Sequence, residues 1–232
     1  MRPALQTILF GGMNLTRFFA GADGFAFDFT QGATGAGVAS VSSQPPASGS
    51  ASQGTGGQQP TWTAGAPGYA NFDGIDDNLV TTVQAGAAAT LIFCGRASAV
   101  SAGLMGASDS SSHRAYLALT SSGAVGGGVG SVNNATITGG ASVVGKDFVA
   151  ALTFDGAQVQ LWANGVQLYL GAQSGVTPAL AAVIGAVNGA SGPTSFGGDR
   201  CYRAALVQRP LYANDLFHAQ RLFAQGVPTL SF

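Results

Sequence analysis

Within FDGIDDN, residues 72–78, three of the chain's ten acidic side chains crowd into five positions: Asp73, Asp76 and Asp77, with Asn78 next to them. Three kinds of chemistry fit those residue types. Hard carboxylate and amide oxygens suit a calcium ion. Two carboxylates roughly 5–9 Å apart are what glycoside hydrolysis requires. An Asp-Gly step also starts a tight turn, with the carboxylate accepting backbone N–H groups. Two unpaired carboxylates about 4 Å apart repel by about 1 kcal/mol in water and about 4 kcal/mol near a protein surface. The cluster therefore needs a cation, N–H donors or distance. Nothing in its flanks builds a sugar cleft or raises a carboxylate pKa, so the stretch reads first as a structural corner. Asp73-Gly74 turns, Asp76 or Asp77 accepts N–H bonds, and Phe72 and Leu79 pack inside.

Other sequences that invite chemistry are less complete. GASVVGKD, 140–147, resembles a phosphate-binding loop but places Asp147 where Ser or Thr must hold magnesium, and a strand-like run follows it. His113 lies in the polar run SDSSSHR, and His218 falls three residues after Asp215. Neither has a nucleophile or a zinc partner at a telling spacing. Cys94 and Cys201 read as two free, buried thiols. Trp62, Tyr69, Tyr116 and Trp162 are candidate platforms for a sugar or a protein partner. Trp162 alternates with Leu161 in its strand, so one of the two must leave the core face.

The elements that position these residues are mostly strands. Charged residues make up 8% of the chain, there is no glutamate, and Lys146 is the single lysine, which argues against helix-rich surfaces. FVAALTFDGAQVQLWANGVQLYL, 148–170, predicts a three-stranded antiparallel meander, turned first by Asp155-Gly156 and then by Asn164-Gly165. Phe25, Phe27 and Phe29 alternate with Ala26 and Asp28 as a strand with one buried face. Residues 31–60, rich in Gly, Ser, Ala and Gln, read as a long loop or linker with little to bury. One helix is expected near the end, capped by Asn214, with Leu216, Ala219, Leu222 and Phe223 on its apolar face and Gly226 and Pro228 ending it. A formal net charge of −1 gives no pull toward nucleic acid or anionic lipid, and no run reaches the ~18 apolar residues of a membrane span. The N-terminus makes a poor signal peptide, so the chain reads as soluble and made in a cytoplasm.

FDGIDDNLVTT resembles the F-D-G-x-D-D-x-L signature of the laminin-G-like, concanavalin A-like jelly-roll superfamily. The D-G and N-G turns of 148–169 and the closing block 184–224 resemble that family's later strands and terminal helix, in the same order. The resemblance covers roughly residues 58–226. It implies an all-β jelly-roll sandwich of two antiparallel sheets over residues 58–232, with one short C-terminal helix and an extended N-terminal arm, 1–57, reaching across itself or onto neighbours. It also implies a calcium site at Asp73, Asp76, Asp77 and Asn78. The family's glycosidase branch works through glutamates, which this chain lacks, so that mechanism does not carry over.

The Gly/Ala/Ser/Thr-rich lead into QQPTW and FDGIDD is similar to structural proteins of tailed bacteriophages and prophages, although Gln59 stands where Arg is usual. That narrower resemblance implies a non-enzymatic virion protein, exposed on the head as decoration or forming part of the tail and assembled in the host cytoplasm. Its partners would be its own copies, as trimers, and other virion proteins. The alternative class is a carbohydrate- or receptor-binding module of a tail fibre, using Trp62, Tyr69, Tyr116 or Trp162 on a host surface glycan. A polysaccharide depolymerase is the third reading.

Overall fold

The computed structural model describes residues 23–30, 35, 37–44, 47–230 and 232. In chain order the strands are β1 (Gly24–Asp28), β2 (Ser40–Ser42), β3 (Ser50–Ser52), β4 (Thr61–Thr63), β5 (Tyr69–Asp73), β6 (Leu79–Gln84), β7 (Ala89–Ala97), β8 (Gly103–Ser108) and β9 (Arg114–Leu119). They continue with β10 (Val125–Val129), β11 (Thr138–Gly139), β12 (Asp147–Phe154), β13 (Gln158–Ala163), β14 (Val166–Ala172), β15 (Ala181–Ile184), β16 (Val187–Gly189), β17 (Gly192–Thr194) and β18 (Gly198–Val207). A helix, α1 (Ala213–Ala224), follows.

Two sheets stack face to face. The first runs β14-β13-β12-β7-β18-β5-β4, with β1 alongside β18, and the second runs β11-β10-β9-β8-β15-β6-β3-β2, with β16 and β17 attached. Pairing is antiparallel except where β16 meets β8 in parallel. This is the all-β sandwich of two antiparallel sheets that the sequence implied. The meander forms as expected: β12 pairs β13 and β13 pairs β14. Asn164 and Gly165 both take positive φ, 49° and 79°, which a two-residue hairpin turn demands.

Between the sheets lies the larger core, including Phe25, Phe27, Phe29, Leu91, Phe93, Leu117, Phe148, Leu152, Leu161 and Ile184. A second apolar layer covers the outer face of the first sheet. There Ile92, Cys94, Val149, Ala151, Ala205 and Val207 meet Leu216, Ala219, Leu222 and Phe223 of α1. The helix crosses β12 and β7. Cys94 points into this outer layer while Cys201 points between the sheets, so both thiols are free, buried and on opposite faces. Among the described residues no helix is long and apolar enough to cross a membrane.

Two expectations change. The helix starts one residue before the predicted cap: Tyr212 takes the cap position with extended backbone and no side-chain cap bond, and Asn214 lies inside the first turn. The described residues of 31–60 also pair into the sheets instead of running as a linker. Within them β2 and β3 form a hairpin that adds to β6, with Val38 and Ala51 each 1% exposed. Of the arm drawn over 1–57, residues 1–22 lie outside the described residues. Of the rest, β1 pairs β18 in the first sheet over five residues and β3 pairs β6 in the second. The cause is alternation in small residues: Ser40, Ser42, Ser50 and Ser52 flank Val41 and Ala51, and only the latter two face inward.

Arg203 ties these layers together. Its Nη1 donates to the Phe223 and Gln225 carbonyls at the end of α1, 2.8 and 2.7 Å away, and its Nε lies 3.4 Å from Asp28 on β1. Arg203→Ala is expected to lower stability by about 2–4 kcal/mol. It should also loosen α1 first, so that Cys94 labels with a thiol reagent before Cys201 does. Equal labelling rates would show that the helix does not depend on this contact.

Candidate functional site

The acidic corner is built mainly by its own hydrogen bonds. Asp73 Oδ1 accepts the N–H groups of Ile75, Asp76 and Asp77 at 2.8, 3.2 and 3.3 Å, while Asp77 Oδ2 accepts the Asp73 N–H at 2.9 Å. Gly74 supplies the positive φ, 77°, that the turn requires. Burial works to raise the Asp73 pKa, but these backbone donors outweigh it and hold the carboxyl below its ordinary value. Asp77 is buried, and that burial, with the charges of Asp73 and Asp76, pushes its pKa up.

Oxygens of the three carboxylates lie within 4.8 Å of one another, a span that a cation can bridge. The Asn78 side chain is engaged within the fold. Its Oδ1 accepts from Gln53 at 3.0 Å and its Nδ2 donates to the Asp76 carbonyl at 2.8 Å, which ties the corner to the segment before β4. Three carboxylates, two of them already accepting N–H bonds, fall short of the six to eight oxygens that calcium takes, and water would have to supply the rest.

The four candidate aromatics do not converge. Trp62 faces the main core, its ring 5.6 Å from Phe29. Tyr116 lies on the outer face of the second sheet against Gly128, where an added Cβ would come within 2.4 Å of the ring. Tyr69 and Trp162 share the outer face of the first sheet. Tyr69 meets Tyr202 edge-on at 6.0 Å, and Arg200 lies 4.8 Å over its ring. Trp162 is half-buried against the outer apolar layer, and its Nε1 donates to Gln160. His113 pairs with Asp109 at 2.9 Å in the loop before β9, and the Ser108 and Ser110 hydroxyls there bond to loop backbone.

A site that the sequence did not single out lies where the covering helix stops. Asp147 on β12 and Arg96 on β7 are register partners on the outer face of the first sheet. The carboxylate accepts Arg96 Nε at 2.9 Å and Nη2 at 3.1 Å, the Tyr202 hydroxyl at 2.9 Å, and the Thr229 hydroxyl. Its side chain is only 5% exposed. Burial acts to raise its pKa, but the bonds from Thr229, Arg96 and Tyr202 outweigh burial and hold it below the ordinary value. Beside it opens a cleft of ≈ 520 Å³, lined by Arg96, Lys146, Asp147, Asn164, Thr229, Leu230 and Phe232, among others. Lys146-Asp147 was visible as the end of the failed phosphate-loop motif. The pairing with Arg96, 51 residues away, was not.

No protein-family model matches the chain, and no curated protein matches it in sequence. Solved structures are similar to it in fold. A sialidase from Trypanosoma rangeli, in complex with sialic acid, gives a TM-score of 0.61 at 15% identity, over 89% of this chain and 33% of that one. The chain thus spans about a third of that sialidase. The CBM40 of a Ruminococcus gnavus IT-sialidase, bound to α2,3-sialyllactose, gives a TM-score of 0.46 at 18% identity, over 57% of this chain and 82% of that one. At these identities the likeness concerns the β-sandwich fold.

Two measurements check this description. Asp73→Ala removes the acceptor for three N–H groups and should cost about 1–2 kcal/mol, whereas Asp76→Asn should be neutral and chelation should leave Tm unchanged. A calcium-dependent rise in Tm that Asp76→Asn abolishes would instead make the corner a cation site. Asp147 has a depressed folded pKa, so its contribution is complete above the unfolded value of about 3.9 and is lost as pH falls through the folded value. Asp147→Asn should therefore cost stability at pH 7 and much less at pH 2, and an equal loss at both would remove ionisation from the account.

Proposed function

We propose that this chain is a non-catalytic carbohydrate-recognition sandwich whose binding site is the cleft beside Arg96 and Asp147. The observation that carries this reading is the cleft itself. It is open and of ligand size, it borders the uncovered end of a rigid sheet, and it offers side-chain hydrogen-bonding groups along with the apolar Leu230 and Phe232. Sugars ask for this mixture, because their hydroxyls need directional partners and their ring faces need apolar ones.

Its chemistry supports binding over cleavage. In its common form glycoside hydrolysis uses two carboxylates across the scissile bond. Asp147 is the one carboxylate side chain lining the cleft, and both its oxygens are engaged by Arg96, Tyr202 and Thr229.

The resemblance of FDGIDD and its lead to phage structural proteins, together with the low charge, supports a finer placement on the surface of a virion, on head or tail, in several copies. One shallow cleft binds weakly, and repetition of copies on a particle raises the avidity without any new contact. A calcium ion at Asp73, Asp76 and Asp77 is no part of this mechanism.

A panel of bacterial polysaccharides, scored for binding and for release of reducing ends, tests the reading. Binding without release is expected. Release would make the protein a depolymerase, and the absence of any binding would leave a purely structural role. Gold-labelled antibody on intact particles should decorate either head or tail, and unlabelled particles would remove the virion placement.

A further inference from the structure

The hydrogen-bonding groups of the cleft are unevenly spent. A carboxylate oxygen has two lone pairs. Asp147 Oδ1 receives Arg96 Nε and the Tyr202 hydroxyl, while Oδ2 receives Arg96 Nη2 and the Thr229 hydroxyl. Asn164 Oδ1 is taken by the Val149 N–H at 2.9 Å. The acceptors are thus largely used within the protein, and the donors are not. Arg96 keeps Nη1, Asn164 keeps Nδ2, and Lys146, an exposed residue and the chain's single lysine, makes only a 3.4 Å contact with the Ser142 carbonyl. Among the side chains that line the cleft, two are cationic and one is a carboxylate, and that carboxylate is already bound by one of the two.

A neutral sugar presents hydroxyls that both donate and accept, and it would find few acceptors to receive its protons. A group that only accepts, and that carries negative charge, would find donors in excess. We propose that the cleft takes an acidic sugar, with the ligand's carboxylate between Lys146 Nζ and Arg96 Nη1 and its ring against Leu230 and Phe232. This rests on the carbohydrate reading above and narrows it to a class. The bidentate hold of Asp147 fixes the guanidinium before the ligand arrives, and charge-assisted bonds of this kind are roughly twice as strong as neutral ones.

The test is calorimetric titration of the whole chain with trigalacturonate and α2,3-sialyllactose as acidic probes, and with maltotriose and lactose as neutral ones. At least one acidic probe should bind, more weakly as salt rises, and the neutral probes should bind at least tenfold more weakly. Lys146→Ala should keep the parent Tm, because the side chain is exposed, and should lose about tenfold in affinity for the acidic probe. Neutral probes binding as well as acidic ones, or Lys146→Ala leaving acidic binding unchanged, would overturn the acidic class while leaving carbohydrate recognition in place. Failure of these four probes and of the wider polysaccharide panel would remove carbohydrate recognition itself.

Discussion

The Asp147 carboxylate holds together parts of the chain that nothing local would bring into contact. Arg96 comes from β7, Tyr202 from β18 and Thr229 from the segment after α1, and all three donate to its two oxygens. A buried carboxylate costs several kcal/mol of lost hydration unless charge and donors replace the water. Here a guanidinium supplies the charge, and two hydroxyls complete the shell. With that shell in place, the C-terminal segment has a fixed landing point on the sheet. Leu230 and Phe232 then pack against the outer apolar layer, with Phe232 beside Phe217 of α1.

The outer layer follows from how the first sheet is composed. Strands β7, β12 and β18 are apolar on both faces at their centres, so the sheet cannot leave either face in water. The sandwich covers one face and α1 covers the other. Arg203 fixes where the helix ends, and beyond that end the outward positions turn polar and aromatic: Arg96, Asp147, Arg200, Tyr69 and Tyr202. Two of these residues, Arg96 and Asp147, also line the cleft.

Local signals in the sequence were readable wherever one residue dictates its own geometry. Asn164-Gly165 has to turn, Asp73 has to collect N–H groups, and the apolar face of α1 follows from helical spacing. Two kinds of feature were hidden. In β2 and β3 the alternating residues are Ser against Val or Ala, a contrast too small to stand out from a linker of the same composition. The cleft depends on register between strands far apart in sequence. That Asp147 lies opposite Arg96, and Arg96 opposite Arg200, is fixed by the sheet and by no local pattern. Trp162 was legible as facing away from Leu161. The layer it packs against was not, because that layer includes α1, which arrives about 50 residues later.

Rigidity gives this cleft its character. Arg96 and Asp147 sit on central strands, and Asn164 sits in a two-residue turn whose side chain is pinned to β12. Little side-chain freedom remains to be lost when a ligand arrives, which is the cost that usually weakens binding at loop-built sites. Lys146 is the exception: it is exposed and keeps its freedom. In the proposed site a fixed guanidinium would set geometry and an exposed ammonium would add charge. Because the fixed member is also the partner of the buried carboxylate, the proposed recognition and the folding would share one residue. Changes at Arg96 would then disturb both, whereas changes at Lys146 would leave the sandwich intact.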